Sequence, residues 1–144
     1  MTIWKRMITQ QDASKSRAGT MMEHLGIEIS EIGDDFIRGR MPVDRRTRQP
    51  YGIMHGGASC ALAETLGSIG ASYCVDENHY VVGLEINTSH IKMIKEGFVI
   101  GTAKPLHVGR STQSWEILIH DESGDLISVS RLRMAVLERR LGLG

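Results

Sequence analysis

The group in this chain best placed to do chemistry is a single carboxylate, Glu64, set in a run of small and apolar residues. Between His55 and Asp76 the chain reads Gly-Gly-Ala-Ser-Cys-Ala-Leu-Ala-Glu-Thr-Leu-Gly-Ser-Ile-Gly-Ala-Ser-Tyr-Cys-Val, and Glu64 is its only charged member. In a helix, Cys60, Ala61, Gly67 and Ser68 stand three and four residues away, and none can form an ion pair with it. Glutamate is seldom buried without a partner, and an apolar setting raises a carboxyl pKa towards the range useful for catalysis. The plainer alternative is a carboxylate satisfied by backbone groups or a hydroxyl such as that of Thr65. Gly56 and Gly57 stand at the start of the same run. There they would expose free N–H groups at the positive end of a helix, where a carbonyl could approach and its developing oxyanion be stabilised. Two glycines in a tight loop-to-helix turn would look the same. Ser68 lies one turn beyond Glu64 on the same face, within reach of the carboxylate or of a water, or is simply small.

Those groups need a helix to hold them. The small residues of 56–75 predict one, and because each interior Gly costs roughly 1 kcal/mol, several of them imply close packing on many sides. Before it, residues 12–25 read as a helical segment ended by Gly26, as part of an N-terminal helical region over 1–26. Residues 27–31 and 35–43 alternate as strands around Gly33-Asp34, a hairpin, and 44–54 form a polar, Arg-rich connection. After the loop at 76–78 come strands at 80–88, with Val82, Leu84 and Ile86 on one face, and at 98–104, ended by Pro105. Two more follow at 113–120, with Trp115, Ile117 and Ile119 on one face, and at 126–137, after the turn at 122–125. Residues 138–144 read as a frayed tail. The fold class is α+β: one long central helix wrapped by an antiparallel sheet, in a single domain over 1–144.

Composition narrows the function classes. Seventeen basic and seventeen acidic residues cancel, so nothing points to bulk binding of nucleic acid or an anionic membrane. A central Glu costs ~2.5–3.5 kcal/mol in a bilayer, which argues against reading 57–75 as a span. The N-terminus lacks the apolar core of a signal peptide. Cys60 and Cys74, ~21 Å apart along a helix, cannot bridge each other, and both read as small buried thiols in a reducing cytoplasm. No His, Cys, Asp or Glu cluster has metal-ligand spacing, and no cofactor is expected.

At Gln49-Pro50-Tyr51-Gly52-Ile53-Met54-His55-Gly56-Gly57, and again at Ala-Glu-Thr-Leu-Gly-Ser over 63–68, the chain resembles the hot-dog-fold acyl-CoA thioesterases of the PaaI-like group. Within them it is most similar to the branch acting on aryl thioesters such as 1,4-dihydroxy-2-naphthoyl-CoA and hydroxybenzoyl-CoA. The similarity continues through Gly83-Leu84-Glu85-Ile86-Asn87-Thr88-Ser89-His90, Pro105-Leu106-His107-Val108-Gly109-Arg110 and Ser130-Arg131-Leu132. It implies hydrolysis of an acyl-CoA, with coenzyme A entering only as part of the substrate, by a dimer or dimer of dimers whose active site is shared. Gln49, His55 and Gly56 would come from one subunit, Glu64 and Ser68 from the other. A distance of ~12 Å along the axis between Gly56 and Glu64 of one helix agrees with that division. The resemblance places His90, Asn87 and Met54 near the acyl group, and His107, Gly109, Arg110, Ser111 and Arg131 on the coenzyme A. Lys92 stands where relatives carry Arg, exchanging a bidentate fork for a point charge. Two competing readings share the scaffold: an acyl-thioester hydratase or dehydratase, and a non-catalytic acyl-CoA-binding protein. The Gln49-to-Ser68 constellation argues against the first, and an unpaired Glu64, for which a pure binder has no use, against the second.

Overall fold

A computed structural model describes residues 1–140 of the 144. Its one long helix, α3 (Gly56–Tyr73), lies against a six-stranded antiparallel sheet. The strands are β1 (Glu28–Ile32), β2 (Ile37–Pro42), β3 (His79–His90), β4 (Phe98–Val108), β5 (Thr112–Asp121) and β6 (Leu126–Glu138). Their order across the sheet is β1-β2-β4-β5-β6-β3, so β3 is an edge strand. This is the hot-dog arrangement expected from the sequence.

The small residues of α3 have the packing reason anticipated for them. A β-carbon on Gly67 would stand 2.5 Å from Leu132 Cδ2, and one on Gly70 would stand 2.7 Å from the ring of Trp115. The sheet contributes its own close approaches, since Gly39 and Gly101 each make room for Leu66. Trp115 cannot yield. Its Nε1 donates to Gln113 Oε1 at 2.8 Å, Gln113 Nε2 donates to Ala71 O at 3.2 Å, and Trp4 stacks on its ring at 6.5 Å between centroids. Gly70→Ala is therefore expected to destabilise the fold by on the order of 1–3 kcal/mol, read as a lower denaturant midpoint at unchanged slope.

The segment before the sheet differs from the continuous helix expected over 12–25. It is divided into α1 (Gln10–Ser14), a 3-10 turn at Lys15–Arg17, and α2 (Met21–His24). Gly19, at φ 73°, takes a left-handed conformation that breaks helical continuity. Gly26 does cap α2: its N–H donates to Glu23 O and that of Ile27 to Met22 O, the paired bonds of a Schellman ending.

Three strand expectations also need correction. β4 does not stop before Pro105, which pairs with Trp115 inside the strand. Its neighbour β2 ends opposite Ala103, so one side of β4 has no ladder bond there for a proline to lose. Val82, Leu84 and Ile86 do not share an inward face. The register of β3 shifts between Gly83 and Glu85, and one extra residue reverses the alternation, leaving Val82 42% and Leu84 52% exposed while Val81 and Ile86 pack on the core. The tail does not begin at 138, because Glu138 pairs with His79 and the Arg139 N–H donates to Asn78 O. The rest of that expectation, 141–144, lies outside the described residues.

Candidate functional site

Residues 44–55 carry the chain into α3. Thr47 is buried, with its hydroxyl donating to Pro42 O, and Arg48 donates twice to Lys95 O. The Arg46 side chain and N–H hold Asp44, and the guanidinium bond is the main reason its carboxyl sits at about 2. Between the bridged residues Arg48 and Met54 the chain makes a tight reversal, with Pro50 fixing one φ and Gly52 adopting φ 81°. Gln49 sits at the base of that reversal. Its Oε1 accepts the Tyr51 N–H, so its amide nitrogen is the end left to donate elsewhere.

His55 is the N-cap of α3. Its Nδ1 accepts the Gly57 N–H at 2.8 Å. A backbone N–H only donates, so Nδ1 is unprotonated and a neutral ring carries its hydrogen on Nε2, exposed to solvent. Gly57 is thus not the free donor expected at the helix start. Gly56 is: its N–H has no partner among the described hydrogen bonds. A β-carbon there would stand 2.7 Å from His90 Nε2, so the bare backbone lets the His90 ring lie over the first turn. Gln49, Met54, Gly56 and His90 together line a cavity of about 270 Å³, completed by apolar residues including Ile53 and Ile127.

Glu64 and Ser68 line a different cavity, of about 450 Å³, with Gly57, Cys60, Met21 and Met22 among its walls. Glu64 is half-buried, and its Oε2 lies 2.7 Å from where a Gly83 β-carbon would be, so the bare backbone of β3 lets the carboxylate rest against it. Among the described residues no cation or hydrogen-bond donor engages the carboxylate. Ser68 does not bond to it, since its hydroxyl rests against Met134 Sδ at 3.9 Å. Cys60 is half-buried, not fully buried, and its thiol donates to Thr88 Oγ1 at 3.2 Å. Cys74 is buried as expected, and desolvation pushes its thiol up to about 11.

Most of the remaining expected residues lie elsewhere. Gly109, Arg110 and Ser111 line a third cavity, about 890 Å³, beyond the C-terminal end of α3, where Cys74 and Val75 form its wall. The His107 ring folds over that turn, 2.5 Å from where a Gly109 β-carbon would stand. Asn87 and Arg131 pair across β3 and β6 and line none of the three cavities. The reason is alternation: Arg131 is exposed on the face of β6 opposite Ser130 and Leu132, which are buried. Lys92, by contrast, lines the 270 Å³ cavity beside Gln49 and His90, held there by Asp125 and Asp121, and the Asp125 bond is the main reason its pKa is raised. Two groups at the third cavity had no signal in the sequence. Lys5 is placed there by its N–H bond to Tyr73 O, and His79 by its position at the head of β3, paired with Asp76 at 2.6 Å. No group of three potential metal ligands occurs among the described residues, and no helix among them is long and apolar enough to cross a membrane.

One helix therefore presents two groups of expected site residues to two separate cavities. Donors gather at the N-terminus of α3, and an unengaged carboxylate stands two turns on, facing a separate cavity. The sequence profile of the thioesterase superfamily matches residues 51–128. The proofreading thioesterase EntH of Cronobacter turicensis is 49% identical over 135 residues, 94% of this chain and 98% of that protein. The crystal structure of a Haemophilus influenzae thioesterase superposes with a TM-score of 0.95 at 42% identity, covering 99% of this chain and 100% of its own. A Staphylococcus aureus thioesterase has been crystallised as a Glu-to-Ala variant, TM-score 0.80 and 36% identical over 83% of this chain and 100% of its own. It has also been crystallised as a Gln-to-Ala variant, TM-score 0.78 and 37% identical over 81% and 97%.

Proposed function

The chain belongs to the thioesterase superfamily and is a thioester hydrolase; from that premise we propose that it hydrolyses an acyl-coenzyme A with an aryl or hydroxyaryl acyl group, in a site shared by two copies. The observation that carries this reading is Glu64 itself, a carboxylate facing a cavity with no described partner, ~12 Å along the axis from the donors at Gly56. That distance is too great for both to act on one carbonyl within one subunit. The two substituted residues of the Staphylococcus aureus enzyme stand fifteen apart in its chain, as Gln49 and Glu64 do here, which supports treating them as a pair.

In this mechanism the thioester oxygen sits at the Gly56 N–H and the Gln49 amide of one copy, where the helix dipole adds to both donors. Glu64 of the other copy takes a proton from the attacking water, or attacks the carbonyl carbon itself to form an anhydride that water then cleaves to free acid and carboxylate. On either route the carbon–sulfur bond breaks, and the departing thiolate is met by the exposed Nε2–H of His55. Arg110 and Ser111, with Lys5 near them, offer donors for the phosphates of coenzyme A. The free edge of β3 supports a dimer: it is a twelve-residue edge strand bearing exposed Tyr80, Val82 and Leu84.

The acyl assignment is supported by the apolar lining on both sides of the reacting groups, Ile53 and Ile127 in one cavity, Met22 and Ile27 in the other. Steady-state hydrolysis of aroyl-, phenylacetyl- and fatty acyl-CoA and of matching acyl-carrier thioesters tests it. Aroyl-CoA is expected to lead in kcat/KM by ~10-fold or more. A fatty acyl or carrier-bound thioester in first place would overturn the assignment.

A further inference from the structure

The cavity that Glu64 faces has a wall contributed by a distant part of the chain: Met21, Met22, Leu25 and Ile27. This wall is a single helical turn and the residues after it, with left-handed glycines, Gly19 and Gly26, on either side of the turn. Its far end is pinned, because Ile27 N–H donates to Met22 O at 2.9 Å and Arg17 Nε donates to Ile27 O at 2.7 Å. Its near end is held as well, by Thr20, whose N–H and hydroxyl donate to Arg17 O at 3.2 and 2.6 Å. Met22, Leu25 and Ile27 turn into the core, which leaves Met21, 63% exposed, as the wall residue whose side chain stands outside the core at the cavity mouth.

We propose that Met21 determines acyl specificity, its thioether side chain closing over the acyl substituent of the thioester on which Glu64 acts. The inference rests on the reading of Glu64 as the reacting carboxylate. Attack requires the carbonyl carbon roughly 3–3.5 Å from the group that reaches it, so whatever is bonded to that carbon meets the lining of the Glu64 cavity. Two substituents compete for the place. The pantetheine arm carries amides that lose hydrogen bonds to water on burial and need partners, and the side chains of this wall have no donor to give. An apolar ring or chain loses nothing there. Methionine suits the task because it is unbranched, with three rotatable bonds and a polarisable sulfur that adapts to rings and chains alike.

Binding of non-hydrolysable thioethers separates this from its alternatives. Dissociation constants of coenzyme A, methyl-CoA, hexyl-CoA and phenacyl-CoA are measured by calorimetry for the wild-type protein and for Met21→Ala. The larger thioethers, hexyl-CoA and phenacyl-CoA, are expected to bind the variant ~10-fold more weakly, with coenzyme A and methyl-CoA unchanged. Equal weakening of all four assigns Met21 to the thiol arm and overturns the proposal, and no change in any of them overturns it as well. Turnover of Glu64→Gln on aroyl-CoA, run in parallel, reports on the catalytic reading alone. If that variant is slow and the Met21→Ala affinities are unmoved, only the specificity proposal has failed.

Discussion

Glu64→Gln is expected to lower turnover of aroyl-CoA by at least ~10²-fold while leaving affinity for coenzyme A in place. The substitution keeps the size and shape of the side chain and removes its ability to accept a proton or attack a carbonyl. Nothing described in the fold depends on the charge, because the carboxylate has no ion pair and no hydrogen-bond donor on it. Loss of activity through unfolding is thus separable: the variant should keep the wild-type thermal midpoint. Saturating kinetics on benzoyl-CoA, calorimetric binding of coenzyme A and a thermal melt check the three parts together. Turnover within a few-fold of wild type would remove Glu64 from the mechanism.

The second expectation concerns the shared site. Gln49→Ala and Glu64→Ala should each be nearly inactive as purified proteins. Unfolded together and refolded at equal amounts, they should recover about a quarter of wild-type activity, since half the dimers are mixed and each mixed dimer has one intact site of two. Recovery follows only if the donor and the carboxylate of a working site come from different chains. A mixture no more active than its components would place both residues in one subunit's site and contradict the division. Gln49 is a sound partner for this experiment because its amide is fixed only by the Tyr51 N–H, within its own turn.

Much of the frame was legible in the sequence because local composition and tertiary environment agree. The Gly and Ala content of α3 announced a helix packed closely on several sides, and Trp115, Ile117 and Ile119 alternate into the core as read. The failures have local causes that one residue can introduce. A bulge at Leu84 inverted the faces of β3, and a proline proved harmless at Pro105 because β2 had already ended. The N-terminal helix reading missed that Gly19 stops a helix instead of merely weakening it. In the site, Gln49, His55, Gly56 and Glu64 were found because they stand within sixteen residues along one motif. Lys5 and the α2 wall were not, since only folding brings these distant residues against the helix, and His79 was not, since no motif marks it.

The continuity of α3 has a mechanical consequence. Gly56 and Glu64 ride on one uninterrupted rod, yet in a shared site they serve different reaction centres. Any slide or tilt of that rod moves the donor of one centre and the carboxylate of the other by linked amounts. In the proposed dimer the two centres would share a gear train: a substrate that draws one helix into register would also reposition a group in the neighbouring centre.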